Sequence, residues 1–206
     1  MRDDVEAALA LCDLVFADWK MTPCLKVTPF SRPANLETRL LETGWAVATT
    51  LTHMVKSTGT ATQTAQGIGI RVCTTEDDVR TFSEVQSTAF GAPEWVRWVH
   101  KVNVVNVPRT DQRFYVADVD GEPSGVCLLV VTGDVAGLYA VATLPAVRHR
   151  GVARALVDRA ASDARDMGAS VLCLNTLKHG PAEQAFARLG FQSVFESKFY
   201  SHQLPA

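Results

Sequence analysis

A cationic turn directly before a helix is the first place where this sequence could bind a ligand. The turn contains Arg148, His149 and Arg150, and Gly151 then leads into an alanine-rich run at helical spacing over 152–166. Helix starts ordinarily favour an acidic or hydroxyl cap and acidic residues in the first turn. This start has cationic residues and none of those groups, so the free backbone N–H groups of the first turn remain available to an anion that belongs to a ligand.

The spacing of this turn suits a pyrophosphate. Gly151 lets a ligand approach the backbone without a Cβ in the way, and Ala153 keeps the next turn small. No GKS or GKT follows, and the three glycines of a dinucleotide-binding turn are missing. The plainer alternative, a solvated basic first turn with a glycine for the bend, stays open at this level.

Composition narrows the class of protein. With 206 residues, 47% hydrophobic and 20% charged, the chain is expected to form one globular domain, with room for an appendage. The net charge of -2 gives no support to a nucleic-acid partner. No apolar run is long enough to span a bilayer, and the acidic start is not that of a secretory signal. The five cysteines form no CxxC pair, so we expect no metal and a reduced, cytoplasmic protein.

The hydrophobic periodicity predicts a mixed α/β chain. Helices are expected at 5–19, 35–43, 76–90, 93–102, 152–166 and 181–190. Strands are expected at 45–55, 70–75, 170–177 and 191–204, with a meander over 113–145 that turns at Asp120-Gly121 and Gly133-Asp134. The proline-rich segment 20–34 is expected to be extended or looped. The domain prediction is an N-terminal appendage over 1–56, a linker over 57–69 and a main domain over 70–206.

Two segments of the sequence share one layout. Residues 35–54 and 181–200 each give a short helix, a glycine followed by an aromatic residue, and a strand. Either this is a generic helix–glycine–strand unit, or the segment 1–56 is the remnant of a duplicated half-domain.

The run VATLPAVRHRGVARALVDRA resembles the acetyl-CoA signature of the GNAT superfamily of N-acetyltransferases. Arg148, Gly151 and Ala153 fill the fixed positions of that signature, and Pro145 lies three residues before Arg148. FARLGF at 186–191 resembles the recurrent YxxLGF ending of the family. The resemblance implies a mixed, largely antiparallel sheet flanked by helices and splayed between the family's fourth and fifth strands, here 138–143 and 170–176.

The resemblance also implies a function. Acetyl-CoA would donate its acetyl group, without a metal, to a primary amine by direct attack in a ternary complex. The amine would belong to a small molecule or, as a second class, to a peptide. The implied acetyl-CoA contacts are Val141, Ala142, Thr143, Arg148, His149, Arg150, Gly151, Val152, Ala153, Arg154 and Asn175. Trp95 and Trp98 would line the acceptor site, although their helical spacing is also typical of core residues.

The sequence departs from the family pattern where the catalytic acid is expected. Phe186 stands in place of the usual tyrosine, and Gly180 stands in place of an asparagine. Tyr139 and Tyr200 are the candidate substitutes, with Cys173 as a further one, and each could instead be a packing residue. The candidate general bases are His100, His179 and Glu183.

Two other interpretations therefore stay open. One is a non-catalytic acyl-CoA-binding or regulatory module, and the other is an unrelated α/β domain with a chance match. Exposed sheet edges also leave a homodimer open.

Overall fold

The computed structural model describes residues 5–59 and 67–202. The α-helices of this part are α1 (Val5–Asp18), α2 (Leu36–Glu42), α3 (Glu76–Ala89), α4 (Val96–Val104), α5 (Val152–Asp166) and α6 (Pro181–Arg188). The strands are β1 (Cys24–Val27), β2 (Ala46–Ser57), β3 (Ile68–Val72), β4 (Gln112–Val119), β5 (Glu122–Thr132), β6 (Val135–Thr143), β7 (Val171–Leu177) and β8 (Gln192–Ser201). Short 3₁₀ helices occupy Pro93–Trp95 and Pro145–Val147.

The backbone divides into two compact units. Unit 1 consists of Met1–Met54 together with Asn175–Ala206, and unit 2 consists of Val55–Leu174. In unit 1, β8 lies between β1 and β2, and β1 pairs with β8 antiparallel from Cys24 opposite Ser201 to Val27 opposite Lys198. Its buried core contains Leu9, Val27, Leu40, Trp45 and Tyr200.

Unit 2 is built on strands in the order β7-β6-β5-β4-β3. The pairs β3–β4, β4–β5 and β5–β6 are antiparallel, and β6–β7 is parallel. Successive strand residues point to opposite faces. Phe114 packs in a core cluster with Phe82 of α3, whereas the hydroxyl of Tyr115 donates a 2.7 Å hydrogen bond to Asp163 of α5. Hence α3 and α5 cover opposite faces of this sheet.

Helix α5 lies very close to β5 at Gly125. A Cβ built on Gly125 would lie 2.5 Å from Cγ1 of Val152 and 3.2 Å from Cδ1 of Leu156. Both of these α5 side chains are buried, at 1% and 0% exposure. The missing side chain at residue 125 therefore allows the first turn of α5 to pack directly on the sheet.

The predicted fold class, a mixed α/β chain with a largely antiparallel sheet flanked by helices, is confirmed. Helix α5 occupies the predicted range, and both predicted hairpin turns connect antiparallel strands. The prediction for 20–34 missed β1, which pairs with the distant β8. Residues 60–66 of the predicted linker lie outside the described residues, so the boundary at 57–69 stays a prediction.

The segments 35–54 and 181–200, which share a layout in the sequence, also have the same local geometry. Gly44 and Gly190 follow α2 and α6 with φ of 88° and 90°. The aromatic residues after them, Trp45 and Phe191, are both buried. The shared layout is present in the structure, while a duplication origin stays a hypothesis. In the described part of the chain, no helix is both long and apolar enough to cross a membrane.

We predict that Gly125→Ala destabilises the protein by about 1–3 kcal/mol, because the added methyl group must displace Val152 and Leu156 in a filled core. Urea unfolding measures this loss. Gly69→Ala is the matched control, since a Cβ at Gly69 of β3 meets no heavy atom within 4 Å. An unchanged free energy of unfolding for Gly125→Ala would contradict the close approach of α5 to β5.

Candidate functional site

The N-terminus of α5 is built without a side-chain cap. Its N-cap residue, Gly151, has φ of 89°, a left-handed conformation that favours glycine, and no side chain caps the helix. The first turn holds no acidic residue. The first helical hydrogen bond runs from Ala155 N–H to Gly151 O at 3.0 Å, so the amides of residues 152–154 have no acceptor inside the helix.

The N-terminus of α3 shows the contrasting arrangement in the same unit. Thr75 caps α3, its side chain accepts a hydrogen bond from Asp78 N–H, and the Asp78 carboxylate accepts one from Thr75 N–H in return. The first turn of α3 contains Glu76, Asp77 and Asp78. Helix α4 of the same unit also lacks a side-chain cap, so the missing cap alone does not distinguish α5. The left-handed Gly151 and the cationic turn before it do, and this combination suits an anion from outside the chain.

The backbone before α5 also bends toward its N-terminus. His149 has φ of 65°, and Gly151 has φ of 89°, so two left-handed residues flank Arg150. Alternation of this kind turns successive N–H groups toward one concave side, where they can bind an anion. Val152 contributes only its backbone, because its side chain is 1% exposed and packs in the core.

Four exposed cationic or titratable side chains surround this point: Arg148, His149, Arg150 and Arg154. They are not equally available. Arg150 donates a 2.9 Å hydrogen bond to Asp120 in the turn between β4 and β5, and the Nε of Arg148 lies 3.5 Å from Thr143 O. Asp120 partly neutralises the positive charge of these side chains. The pair of Arg150 and Asp120 was not predictable from the sequence, because the two residues are 30 positions apart.

Strand β6 separates from β7 after a short parallel contact. The pairing runs from Val135 opposite Val171 to Gly137 opposite Cys173, and β6 continues to Thr143. The predicted splay between these two strands begins at that point. Val141, Ala142 and Thr143 are half-buried on the continuing segment.

A β-bulge interrupts β6 within this segment. On β5, Leu128 pairs with Tyr139 and Val126 pairs with Ala142, so Ala140 and Val141 together oppose one residue. Ala140 has φ of 50°, which is uncommon for a residue with a Cβ and marks local strain. A bulge leaves part of the ladder unpaired and re-aims the backbone. The bulge was not predictable from the sequence, because alanine is not typical of a position with left-handed backbone conformation.

The candidate catalytic tyrosines lie in different environments. Tyr139 of β6 is 51% exposed, and its ring lies close to Gly137, where a built Cβ would meet ring atom Cε2 at 2.7 Å. Tyr200 in unit 1 is 1% exposed and donates a 2.8 Å hydrogen bond to Glu37. Burial, and then the Glu37 carboxylate, raise the pKa of Tyr200 to about 12. These contacts favour a packing role for Tyr200 and leave Tyr139 accessible.

The other predicted site residues of unit 1 lie on β7, in the turn before α6 and on α6. Asn175 is exposed on β7, two residues beyond the last pair with β6. Phe186 packs edge-on against Phe191 with ring centroids 5.7 Å apart. His179 has φ of 60°, and Glu183 accepts a 2.5 Å hydrogen bond from His179 N–H, so this pair shapes the turn before α6.

The two tryptophans predicted to line an acceptor site are both exposed. Trp95 is 60% exposed and Trp98 is 67% exposed, whereas Val99 of α4 is buried. The structure therefore does not place the two tryptophans in the core, which was the other interpretation of their spacing. His100 lies on the same helix, with its Nε2 3.6 Å from Glu76. Within residues 5–59 and 67–202, no group of three or more His, Cys, Asp and Glu side chains is arranged to hold a metal ion.

Comparison with models of known protein families gives a match. The model of the Acetyltransferase (GNAT) family matches residues 76–191. That span is more than half of the 206 residues and contains α3, α4, β4–β7 and the α5 N-terminus. No curated protein sequence matches the chain.

Solved structures are similar in fold. A GCN5-related N-acetyltransferase from Kribbella flavida superposes with a TM-score of 0.76 at 16% identity, covering 98% of this chain and 76% of that chain. A functionally unknown conserved protein from Staphylococcus epidermidis gives 0.74 at 13% identity, covering 100% and 82%. A tandem GNAT protein from the clavulanic acid biosynthesis pathway gives 0.72 at 14% identity, covering 100% and 72%. At such identities the similarity concerns the fold alone.

Proposed function

The chain belongs to the Acetyltransferase (GNAT) family, and on this premise we propose that it is an N-acetyltransferase that transfers the acetyl group of acetyl-CoA to a primary amine of a small molecule. The observation that carries the proposal is the N-terminus of α5. It combines a left-handed glycine, a first turn without acidic residues and a cationic approach at 148–150. These are the features that a pyrophosphate requires at a helix start.

The proposed cosubstrate contacts follow the backbone. The amides from His149 or Arg150 through Arg154 hold the pyrophosphate, and Arg148 adds charge beside them. The pantetheine arm binds along Val141–Thr143, where β6 continues past its last pair with β7. Asn175 is a further proposed contact on β7. Because most of these donors are backbone groups, the site tolerates varied side chains while its geometry stays fixed.

The proposed chemistry requires the chain to position an amine, stabilise the charge that develops on the thioester oxygen, and return a proton to the leaving thiolate. Acetyl-CoA supplies the thioester. The Val141 amide, beside the bulge at Ala140, is the proposed donor to the developing charge. Tyr139 is the proposed proton donor, since Tyr115 and Tyr200, the other two tyrosines of the chain, are buried and bonded to Asp163 and Glu37.

The proposed acceptor site lies at the exposed face of α4. Trp95 and Trp98 together present a large aromatic surface to solvent, which suits an amine with an apolar or cationic body. A peptide amine is the second acceptor class. The net charge of -2 gives a nucleic-acid acceptor no support.

A second candidate function is a non-catalytic acyl-CoA-binding or regulatory module. The observation that favours it is the absence of a hydroxyl at Phe186, the position of the family's tyrosine, together with Gly180 in place of an asparagine. Both candidates require the cosubstrate site at α5, and they differ in turnover.

Isothermal titration of acetyl-CoA tests the shared site. We expect micromolar binding to the unaltered protein and at least about tenfold weaker binding to Gly151→Asp, because a carboxylate at the N-cap repels a pyrophosphate. Gly168→Asp is the matched control, since Gly168 follows the same helix with φ of 95°, where a Cβ meets nothing within 4 Å. Loss of binding in both variants, or absence of binding to the unaltered protein, overturns the proposal.

We predict that Trp98→Ala raises KM for the acceptor by about tenfold while the affinity for acetyl-CoA stays within about twofold, because Trp98 belongs to the proposed acceptor site and not to the proposed acetyl-CoA site. Truncation of so exposed a ring should change stability by less than about 0.5 kcal/mol. Thiol release with primary amines from phenethylamine to spermidine gives the measurement. Trp19→Ala is the control, as Trp19 in unit 1 is 61% exposed. Equal effects of both variants would refute the acceptor assignment.

Phe186→Tyr separates the two candidate functions. We expect the unaltered protein to acetylate at least one amine of the panel and Phe186→Tyr to change kcat by less than about tenfold, because Tyr139 supplies the proton. If the unaltered protein binds acetyl-CoA without turnover and Phe186→Tyr creates activity, the non-catalytic module is correct.

A further inference from the structure

Unit 1 contains a cavity that the acyl-transfer proposal does not use. Its volume is about 430 Å³, which is within the range of small-molecule sites. It lies between the end of β1, the loop after it, α2 and β8. The lining residues are Val27, Pro29, Glu37, Phe195, Glu196 and Lys198. All six belong to unit 1, and none belongs to the turn before α5 or to β6.

One wall of the cavity is apolar. Val27 is 4% exposed and contributes a buried aliphatic surface. The ring of Phe195 stacks on His53 with centroids 4.3 Å apart, and Phe30 meets its edge at 5.5 Å. This ring lies on the face of β8 opposite Glu196 and Lys198, so Val27 and Pro29 supply the apolar lining on the charged side.

The rest of the lining carries charges of both signs. Lys198 donates a 2.5 Å hydrogen bond to Glu37, and Glu196 pairs with Lys178 at 2.8 Å. The Tyr200 hydroxyl donates to the same Glu37 oxygen at 2.8 Å. The hydrogen bonds from Lys198 and then Tyr200 lower the pKa of Glu37, so this carboxyl group is ionised at neutral pH. The Glu37 carboxylate therefore presents a fixed negative charge to the cavity.

These ion pairs remain open to a ligand. The side chains of Glu37 and Lys198 are 43% and 40% exposed, and that of Glu196 is 43% exposed. Exposed ion pairs of this kind contribute little to stability, so a ligand can insert between their partners at small cost. The buried Tyr200 keeps the Glu37 carboxylate oriented while its lysine partner moves.

We propose that this cavity binds a free α-amino acid with an apolar side chain. The ammonium group would bind Glu196 and Glu37, the carboxylate would bind Lys198, and the side chain would pack on Val27 and Pro29. An anionic ligand such as a phosphate would meet two carboxylates. A purely apolar ligand would desolvate three charged groups without pairing them. An amine without a carboxylate would bring its ammonium group close to Lys198 and offer that lysine no anion to pair with.

The test uses the full-length protein without acetyl-CoA and measures affinity by isothermal titration. The probes are L-leucine, isopentylamine, which lacks the carboxylate, and 4-methylpentanoate, which lacks the ammonium group. We expect leucine to bind, and each analogue to bind at least about tenfold more weakly, because each loses one charge-assisted contact. This series requires no variant and so cannot fail through misfolding.

Variants then assign the site. Glu196→Gln and Lys198→Met should each weaken leucine binding by about tenfold. Lys26→Met is the matched control, because Lys26 precedes the lining residue Val27 on β1 and so points to the opposite face of the sheet.

Three results overturn the proposal: no leucine binding at millimolar concentration, an amine that binds as well as leucine, or leucine affinity unchanged in Glu196→Gln and Lys198→Met. The acyl-transfer proposal fails separately, since its readout is acetyl-CoA binding and the Gly151→Asp variant. The two proposals share no residue, so either can stand without the other.

Discussion

The contact between Gly125 of β5 and the first turn of α5 is the constraint on which the proposed site depends. With no side chain at residue 125, Val152 packs directly on the sheet and is buried. A helix held at its first residue has a fixed direction, and therefore so do its free N–H groups. Gly151 then needs a left-handed φ to bring the chain from the turn at 148–150 into that helix. Backbone amides can serve as a preorganised anion site only when packing of this kind holds them still.

The starts of α3 and α5 in unit 2 show that the same fold can either complement a helix dipole or leave it open. Helix α3 has a capping box and three acidic residues in its first turn, which are stabilising contributions of about 0.3–1 kcal/mol each. Helix α5 lacks them and is approached by cations instead. The buried apolar stripe along its other face holds α5 in the fold by packing. A bound anion would restore the missing electrostatic stabilisation.

The two units differ in the kind of recognition they offer. At α5 the donors are mainly backbone amides, whose positions follow from secondary structure. The cavity of unit 1 instead presents side-chain charges, of which the Glu37 carboxylate is held by the Tyr200 hydroxyl. Backbone donors suit a chemical group that does not vary, such as a pyrophosphate, whereas paired side-chain charges suit a zwitterion whose ends must be told apart. The pairing of β1 with β8 creates the second site, and this pairing was not predictable from the proline-rich segment 20–34.

Local patterns in the sequence determined the mixed α/β class, the range of α5, the hairpins at Asp120-Gly121 and Gly133-Asp134, and the cationic turn at 148–150 before a helix start, because each rests on residues within a few positions of one another. Only the tertiary structure decided that Asp120 pairs with Arg150, that Trp95 and Trp98 face solvent, that Tyr200 is buried against Glu37 while Tyr139 is exposed, and that β6 bulges at Ala140. Burial and pairing of this kind depend on residues that are distant in the chain, and the same tyrosine or tryptophan fits a core and a surface equally well until its neighbours are known.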